Sequence, residues 1–109
     1  MSTWDKTLQF YDDLVARSSN FERKGKTVPY TSANGYMFSL MNKDGEFGIR
    51  LSKDRAKAFM EEHDTTIFKS HGAVMRDYVL IPESMFEDSD FLLKTLEAGY
   101  AHVMSLPPK

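Results

Sequence analysis

Apolar side chains first recur at helical spacing, with Trp4, Leu8, Tyr11, Leu14 and Val15 falling on one side of the chain. That spacing predicts a helix over about 3–17. Ser2 or Thr3 is available as its cap, and Asp5 stands in the first turn, where a carboxylate meets unpaired N–H groups. The pattern stops at Arg17-Ser18-Ser19-Asn20, and a basic loop, Glu22-Arg23-Lys24-Gly25-Lys26, leads into a short extended stretch over Thr27–Thr31. Pro29 confines that stretch to a sheet edge, because proline has no N–H to donate to a neighbour.

The clearest local signal comes next. Tyr36-Met37-Phe38-Ser39-Leu40-Met41 is followed by Asn42-Lys43-Asp44-Gly45 and then by Phe47, Ile49 and Leu51 alternating with Glu46, Gly48 and Arg50. Two strands around an Asp-Gly turn make a β-hairpin. Ser52 can cap a helix through about His63 that puts Ala56, Phe59, Met60 and His63 on one side and Lys53, Asp54, Lys57 and Glu61 on the other. Thr65–Lys69 reads as a strand, His71-Gly72 as a turn, and Ala73–Ile81 as a strand whose alternation is imperfect. Pro82 ends it. A polar turn through Asp88 follows, and Ser89 can cap a last helix presenting Leu92, Leu93, Leu96, Tyr100, Val103 and Met104, closed by Pro107-Pro108.

The element order is therefore α-β-β-β-α-β-β-α, which predicts a two-layer α+β fold: an antiparallel five-stranded sheet with helices mainly on one face. At 109 residues and 41% apolar composition the chain forms one domain, 1–109, able to fold without disulfides. It contains no cysteine, which removes disulfides, thiolate metal sites and thiol nucleophiles together. With no signal-like apolar start and no run approaching the roughly 20 apolar residues of a membrane span, a cytoplasmic protein without membrane association is expected.

Charge sharpens the picture little. Residues 1–57 carry ten Lys/Arg against seven Asp/Glu, and residues 58–109 four against nine, for a net charge of −2. That balance is unlike a dedicated nucleic-acid binder, whose affinity rests on several cations neutralising phosphates.

The candidate chemistries are sparse. His63, His71 and His102 lack the i+3 or i+4 partners of a helical metal motif. Ser70, His71 and Asp77 offer a nucleophile, a base and a carboxylate, but without the strained elbow or oxyanion nest that acyl transfer uses. Asp12-Asp13 and Glu61-Glu62 are adjacent on helices and so point about 100° apart. Thr31–Gly35 lacks the spacing and lysine of a phosphate loop and reads as a turn. No catalytic residue, metal or cofactor is expected. What remains is apolar: Met37, Met41, Met60, Met75, Met85 and Met104, with Phe10, Phe21, Tyr30 and Phe86 as candidate exposed aromatics. Methionines fill core gaps or furnish adaptable binding surfaces. With helices on one side of the sheet, the strand face around Met37, Met41 and Met75 is the expected interface.

The Gly35-Tyr36-Met37-Phe38 entry to the hairpin, the Asp44-Gly45 turn, Arg50-Leu51, Phe59, and Tyr78-Val79 followed by Pro82 resemble the TfoX N-terminal-domain family over roughly Lys24 to Pro107. That domain stands at the front of the bacterial TfoX/Sxy competence regulators and also occurs as free-standing small proteins. The resemblance implies a secretion-chaperone-like architecture and a link to transcription and competence regulation. The combined expectation is a non-catalytic interaction module that binds a protein partner, or a second copy of itself, through Tyr36, Met37, Met41 and Met75, with Arg23, Lys24 and Lys26 beside them. The alternatives are a nucleic-acid-associated factor using Arg23–Lys26 and Arg50–Lys57, or a small-ligand-binding domain or enzyme.

Overall fold

The first helix, α1 (Thr3–Ala16), forms where the spacing predicts it. The Ser2 hydroxyl accepts the Asp5 N–H at its start, and Thr7, Tyr11, Leu14 and Val15 are its buried side. A computed structural model describes residues 2–109. After α1 come β1 (Tyr30–Ala33), β2 (Tyr36–Met41), β3 (Phe47–Arg50), α2 (Lys53–Glu62), β4 (Ile67–Ser70), β5 (Ala73–Ile81), a 3-10 turn (Glu83–Glu87) and α3 (Ser89–Met104). The strands form one antiparallel sheet in the order β1-β2-β3-β5-β4. Fold class and element order are as the sequence predicts.

The helix-facing side of the sheet holds the main core. Phe38, Met41, Phe47, Ile49, Val79 and Ile81 pack there against Tyr11, Leu14 and Val15 of α1 and Leu92, Leu96 and Val103 of α3. α3 comes close to β3 because Gly99 has no side chain: a Cβ there would stand 2.6 Å from the Arg50 carbonyl oxygen. Burial of this many apolar groups is the dominant favourable contribution to such a fold, at about 25 cal/mol per Å² removed from water.

Two irregularities in the sheet decide which residues reach which face. Thr31 pairs with Ser39 but Ser32 pairs with Met37, so Phe38 is an extra residue on β2. This bulge turns both Phe38 and Ser39 toward the helices and leaves Met37 facing away. The second lies in the β4–β5 hairpin, where Ile67 pairs with Val79 and Lys69 with Val74, so two steps along β4 answer five along β5. Asp77, with φ +66°, sits in that excess. Here is the reason β5 alternates imperfectly in sequence. The surplus also curls the hairpin over the far face, laying the Phe68 ring against Gly48.

Three boundaries differ from expectation. The first strand begins at Tyr30 rather than Thr27, because the chain doubles back after Gly25 and Lys24 and Tyr30 exchange backbone hydrogen bonds of 2.7 and 2.8 Å. It is an edge strand, as Pro29 implies. The fourth strand starts at Ile67 rather than Thr65, whose hydroxyl instead donates to the Leu80 carbonyl at 2.7 Å. Finally, Asp88 rather than Ser89 precedes α3, and the Ser89 hydroxyl accepts from Arg17 at 3.2 Å.

Candidate interaction surfaces

The sheet face expected to be open is largely filled by the chain itself. Leu40, Phe68 and Tyr78 are buried there, with Val28, Tyr30, Met75 and Leu80 packed around them. Met41 is fully buried on the opposite, helix-facing side, so it contributes to the core and to no surface. This corrects its placement in an interface, and the bulge at Phe38 is the physical reason. Met75 is half-buried against the small far-face cluster, while Met37 is 40% exposed and Val74 58%. Met37 is the exposed apolar side chain of this face; Val74 pairs with Lys69 and alternates with Met75, which puts it on the opposite face.

Several aromatics expected at the surface are likewise engaged. Phe21 is buried in the main core, with its ring edge-on to Phe38 at 5.1 Å. Phe10 stacks on Phe86 with centroids 4.2 Å apart, which docks the 3-10 turn onto α1. Tyr30 belongs to the far-face cluster.

The basic candidates do not form one patch by contact. Arg23 reaches back to α1, with its Nε 2.6 Å from an Asp12 carboxylate oxygen and its Nη1 donating to the Gly25 carbonyl. That pairing with Asp12 raises its pKa. Lys24 and Lys26 are exposed. Asp13, beside Asp12, accepts from Gln9 instead, so the adjacent acids serve different partners.

Nor are the residues of the hydrolase-like trio brought together. Ser70 is buried at the end of β4, His71 occupies the hairpin turn with φ +53°, and no hydrogen bond joins either to Asp77 among the described residues. His63 ends α2 with its ring 4.5 Å from Phe59 and 5.2 Å from Phe91. Among the described residues no group of three or more His, Asp or Glu side chains is placed to hold a metal ion, and no helix is long and apolar enough to cross a membrane.

A different surface, missed in the sequence, lies between α2 and α3. A groove of about 260 Å³ has Leu51, Phe59 and Thr95 in its lining and Ala58 and Ala98 on its walls. Arg55, Glu62 and His63 stand along the α2 bank, with Phe91 and Lys94 on the α3 bank. A second depression of about 280 Å³, lined by Ser52, Ala101 and His102, shares Arg55 and Ala98 with the first and so continues the groove. Short side chains produce it. Alanines and a threonine face each other where longer residues would close two helices together, and the helical pattern offered a signal in Ala58, Ala98 and Ala101 recurring opposite the apolar stripe.

Polar side chains missed in the sequence do structural work. The Asn42 side-chain oxygen accepts from the N–H groups of Asp44 and Glu46 at 3.0 and 2.9 Å, and its amide donates to the Lys69 carbonyl at 2.8 Å, tying the hairpin turn to β4. The Asn34 amide donates to the carbonyls of Val103 and Leu106, closing the end of α3. Within the core, hydroxyls of Tyr11, Ser39 and Thr31 form a buried chain with both contacts at 2.5 Å. Burial raises the Tyr11 pKa well above the ordinary phenol value. It pushes that of Tyr78, whose hydroxyl donates to the Met37 carbonyl, up to about 12.

No protein-family model, curated protein or solved structure matches the chain.

Proposed function

We propose that this chain is a non-catalytic protein-interaction module of the cytoplasm, and that it receives a short acidic helical segment of a partner in the groove between α2 and α3. The observation that carries the reading is the groove itself: an open, apolar channel walled by small residues, on a domain whose far sheet face is largely filled by its own side chains. From Phe91 to His102 it follows α3 for about 16 Å at 1.5 Å per residue, the length of three helical turns. Small side chains on its walls let a third helix approach closely, in the manner of helix-in-groove recognition. Arg55 and Lys94 on opposite banks outnumber the single carboxylate of Glu62, which favours acidic residues flanking the partner's apolar stripe.

The resemblance to the TfoX N-terminal-domain family adds a context to this reading. On that resemblance the expected partner is a protein of transcription or competence regulation, and the module would act as a regulator by binding. The test compares binding of the purified partner to wild-type protein, Ala98→Glu, Lys94→Glu and Met37→Asp. Ala98→Glu fills the channel and Lys94→Glu reverses one bank, so each lowers affinity at least tenfold, while Met37→Asp leaves it unchanged. Loss with Met37→Asp alone moves the interface to the sheet face. A partner removed by nuclease would instead support nucleic-acid association through the exposed Lys24, Lys26, Lys53 and Lys57.

A further inference from the structure

Among the described residues Arg50 has no ion-pair partner although its Nε is buried. Arg17 and Arg23 each reach a carboxylate, Asp90 and Asp12 respectively. Arg50 has neither an ion pair nor a side-chain hydrogen bond among the described residues, and its Nε is buried without an acceptor. It leans on Tyr36, with its Cζ 5.6 Å from the ring centroid. Packing against an aromatic face holds a guanidinium in place while leaving its donors unspent.

Acceptors around Tyr36, Tyr78 and the end of α3 serve other donors. Tyr36 Oη–H donates to the Pro107 carbonyl at 2.7 Å and Tyr78 Oη–H to that of Met37 at 2.9 Å. The Val103 and Leu106 carbonyls take the Asn34 amide, and the His102 carbonyl takes the Ser105 hydroxyl. A second cation converges on the same ring: Lys109 Nζ lies 4.8 Å from the Tyr36 centroid, its backbone N–H donating to the Asn34 carbonyl at 3.3 Å. Burial, and after it the charge of Arg50, lowers the pKa of His102 in the last turn of α3, while Asp77 opposes that shift. Asp77 on β5 is the carboxylate that bears on this group, and it forms no ion pair with Arg50 within 4 Å.

Two cations on one tyrosine ring, neither in an ion pair among the described residues, make a receptor for negative charge. We propose that Arg50, with Lys109 and His102 beside it, binds a compact oxyanion, a phosphate or carboxylate group, at the Tyr36 ring. Guanidinium donors pair with such groups through charge-assisted hydrogen bonds, and the ammonium and imidazole complete the field. His102 also lines the far end of the groove, but the anion site rests on Arg50 and Lys109 at the Tyr36 ring and stands without the helix-binding reading.

The test is an NMR titration of the intact protein with inorganic phosphate and, separately, with acetate, at constant ionic strength in chloride. Saturable shifts of the Arg50 Nε–H and Tyr36 ring signals are expected, together with a rise in the His102 pKa. Arg50→Gln weakens binding about tenfold or more, Arg50→Lys several-fold, and Lys109→Gln about threefold, in keeping with charge-assisted contacts of unequal geometry. Saturation by phosphate alone assigns a tetrahedral ligand, and saturation by acetate alone a carboxylate. Shifts that grow linearly without saturating, or that persist unchanged in Arg50→Gln, overturn the proposal. So does a direct Arg50–Asp77 ion pair in the free protein. Should Arg50→Gln fail to fold, Lys109→Gln decides, since it alters only the tail.

Discussion

Replacing Gly48 by alanine should destabilise the domain even though alanine suits a strand better. Gly48 sits mid-strand in β3 between Leu40 and Leu80, and a Cβ there would lie 2.4 Å from Phe68 Cγ and 2.7 Å from both Cδ atoms. Carbon atoms pack at about 3.5–4.0 Å, so the overlap is roughly 1 Å with three ring atoms at once. The ring has no free space to retreat into, being fully buried among Leu40, Tyr78 and their neighbours. Overpacking of this kind costs about 1–3 kcal/mol. Removing a strand glycine returns about 0.5–1 kcal/mol. The net expectation is a loss of about 1–2 kcal/mol, read as a lower midpoint in urea unfolding followed by the fluorescence of Trp4. In a Phe68→Ala background the obstruction is gone, so Gly48→Ala should turn neutral or stabilising by up to about 1 kcal/mol. A Gly48→Ala protein as stable as wild type, or the same loss in both backgrounds, would refute the claim that Phe68 caps the far face at this glycine.

That claim marks where the sequence stopped being legible. Helix positions, the Asp-Gly turn and strand order follow from periodicity and turn chemistry, which are local. Which face of the sheet each methionine reaches depends on two register shifts, at Phe38 and around Asp77, and these are set by tertiary packing. A one-residue bulge sent Met41 into the core and Met37 outward. Similarly, Asn42 and Asn34 read as ordinary turn residues, and their bonds to Lys69, Val103 and Leu106 join elements distant in sequence. The groove between α2 and α3 depends on how two helices lie on one sheet. Arg50 gave no signal beyond being a cation in a strand.

Other outcomes follow from the same contacts. Gly99→Ala should cost about 1–3 kcal/mol in thermal or urea unfolding, because the new Cβ meets the rigid Arg50 carbonyl at 2.6 Å. Asn42→Ala strips the hairpin turn of its acceptor and the Lys69 carbonyl of its donor, for a loss of about 1–3 kcal/mol and faster hydrogen exchange at Asp44 and Glu46. Tyr11→Phe should cost about 0.5–1.5 kcal/mol by breaking the buried hydroxyl chain to Ser39. Stability should also fall above pH 10. Burial raises the Tyr11 and Tyr78 pKa values in the folded state, so the unfolded chain releases phenolic protons first. The stabilisation is complete below the unfolded value and is lost as pH climbs toward 12, at roughly 1.4 kcal/mol per pH unit for each tyrosine. Tyr78→Phe should shallow that slope in urea titrations at pH 8, 10 and 11, and an unchanged slope would count against its burial.

The central claim is that partners enter the channel between α2 and α3, and site-specific photo-crosslinking tests it most directly. A photoreactive amino acid placed in turn at Ala58, Ala98 and Met37 samples the groove and the far sheet face in otherwise intact protein. The account predicts crosslinks from Ala58 and Ala98 to one acidic helical segment of a single partner, and none from Met37. Crosslinks from Met37 with silence in the groove would contradict it.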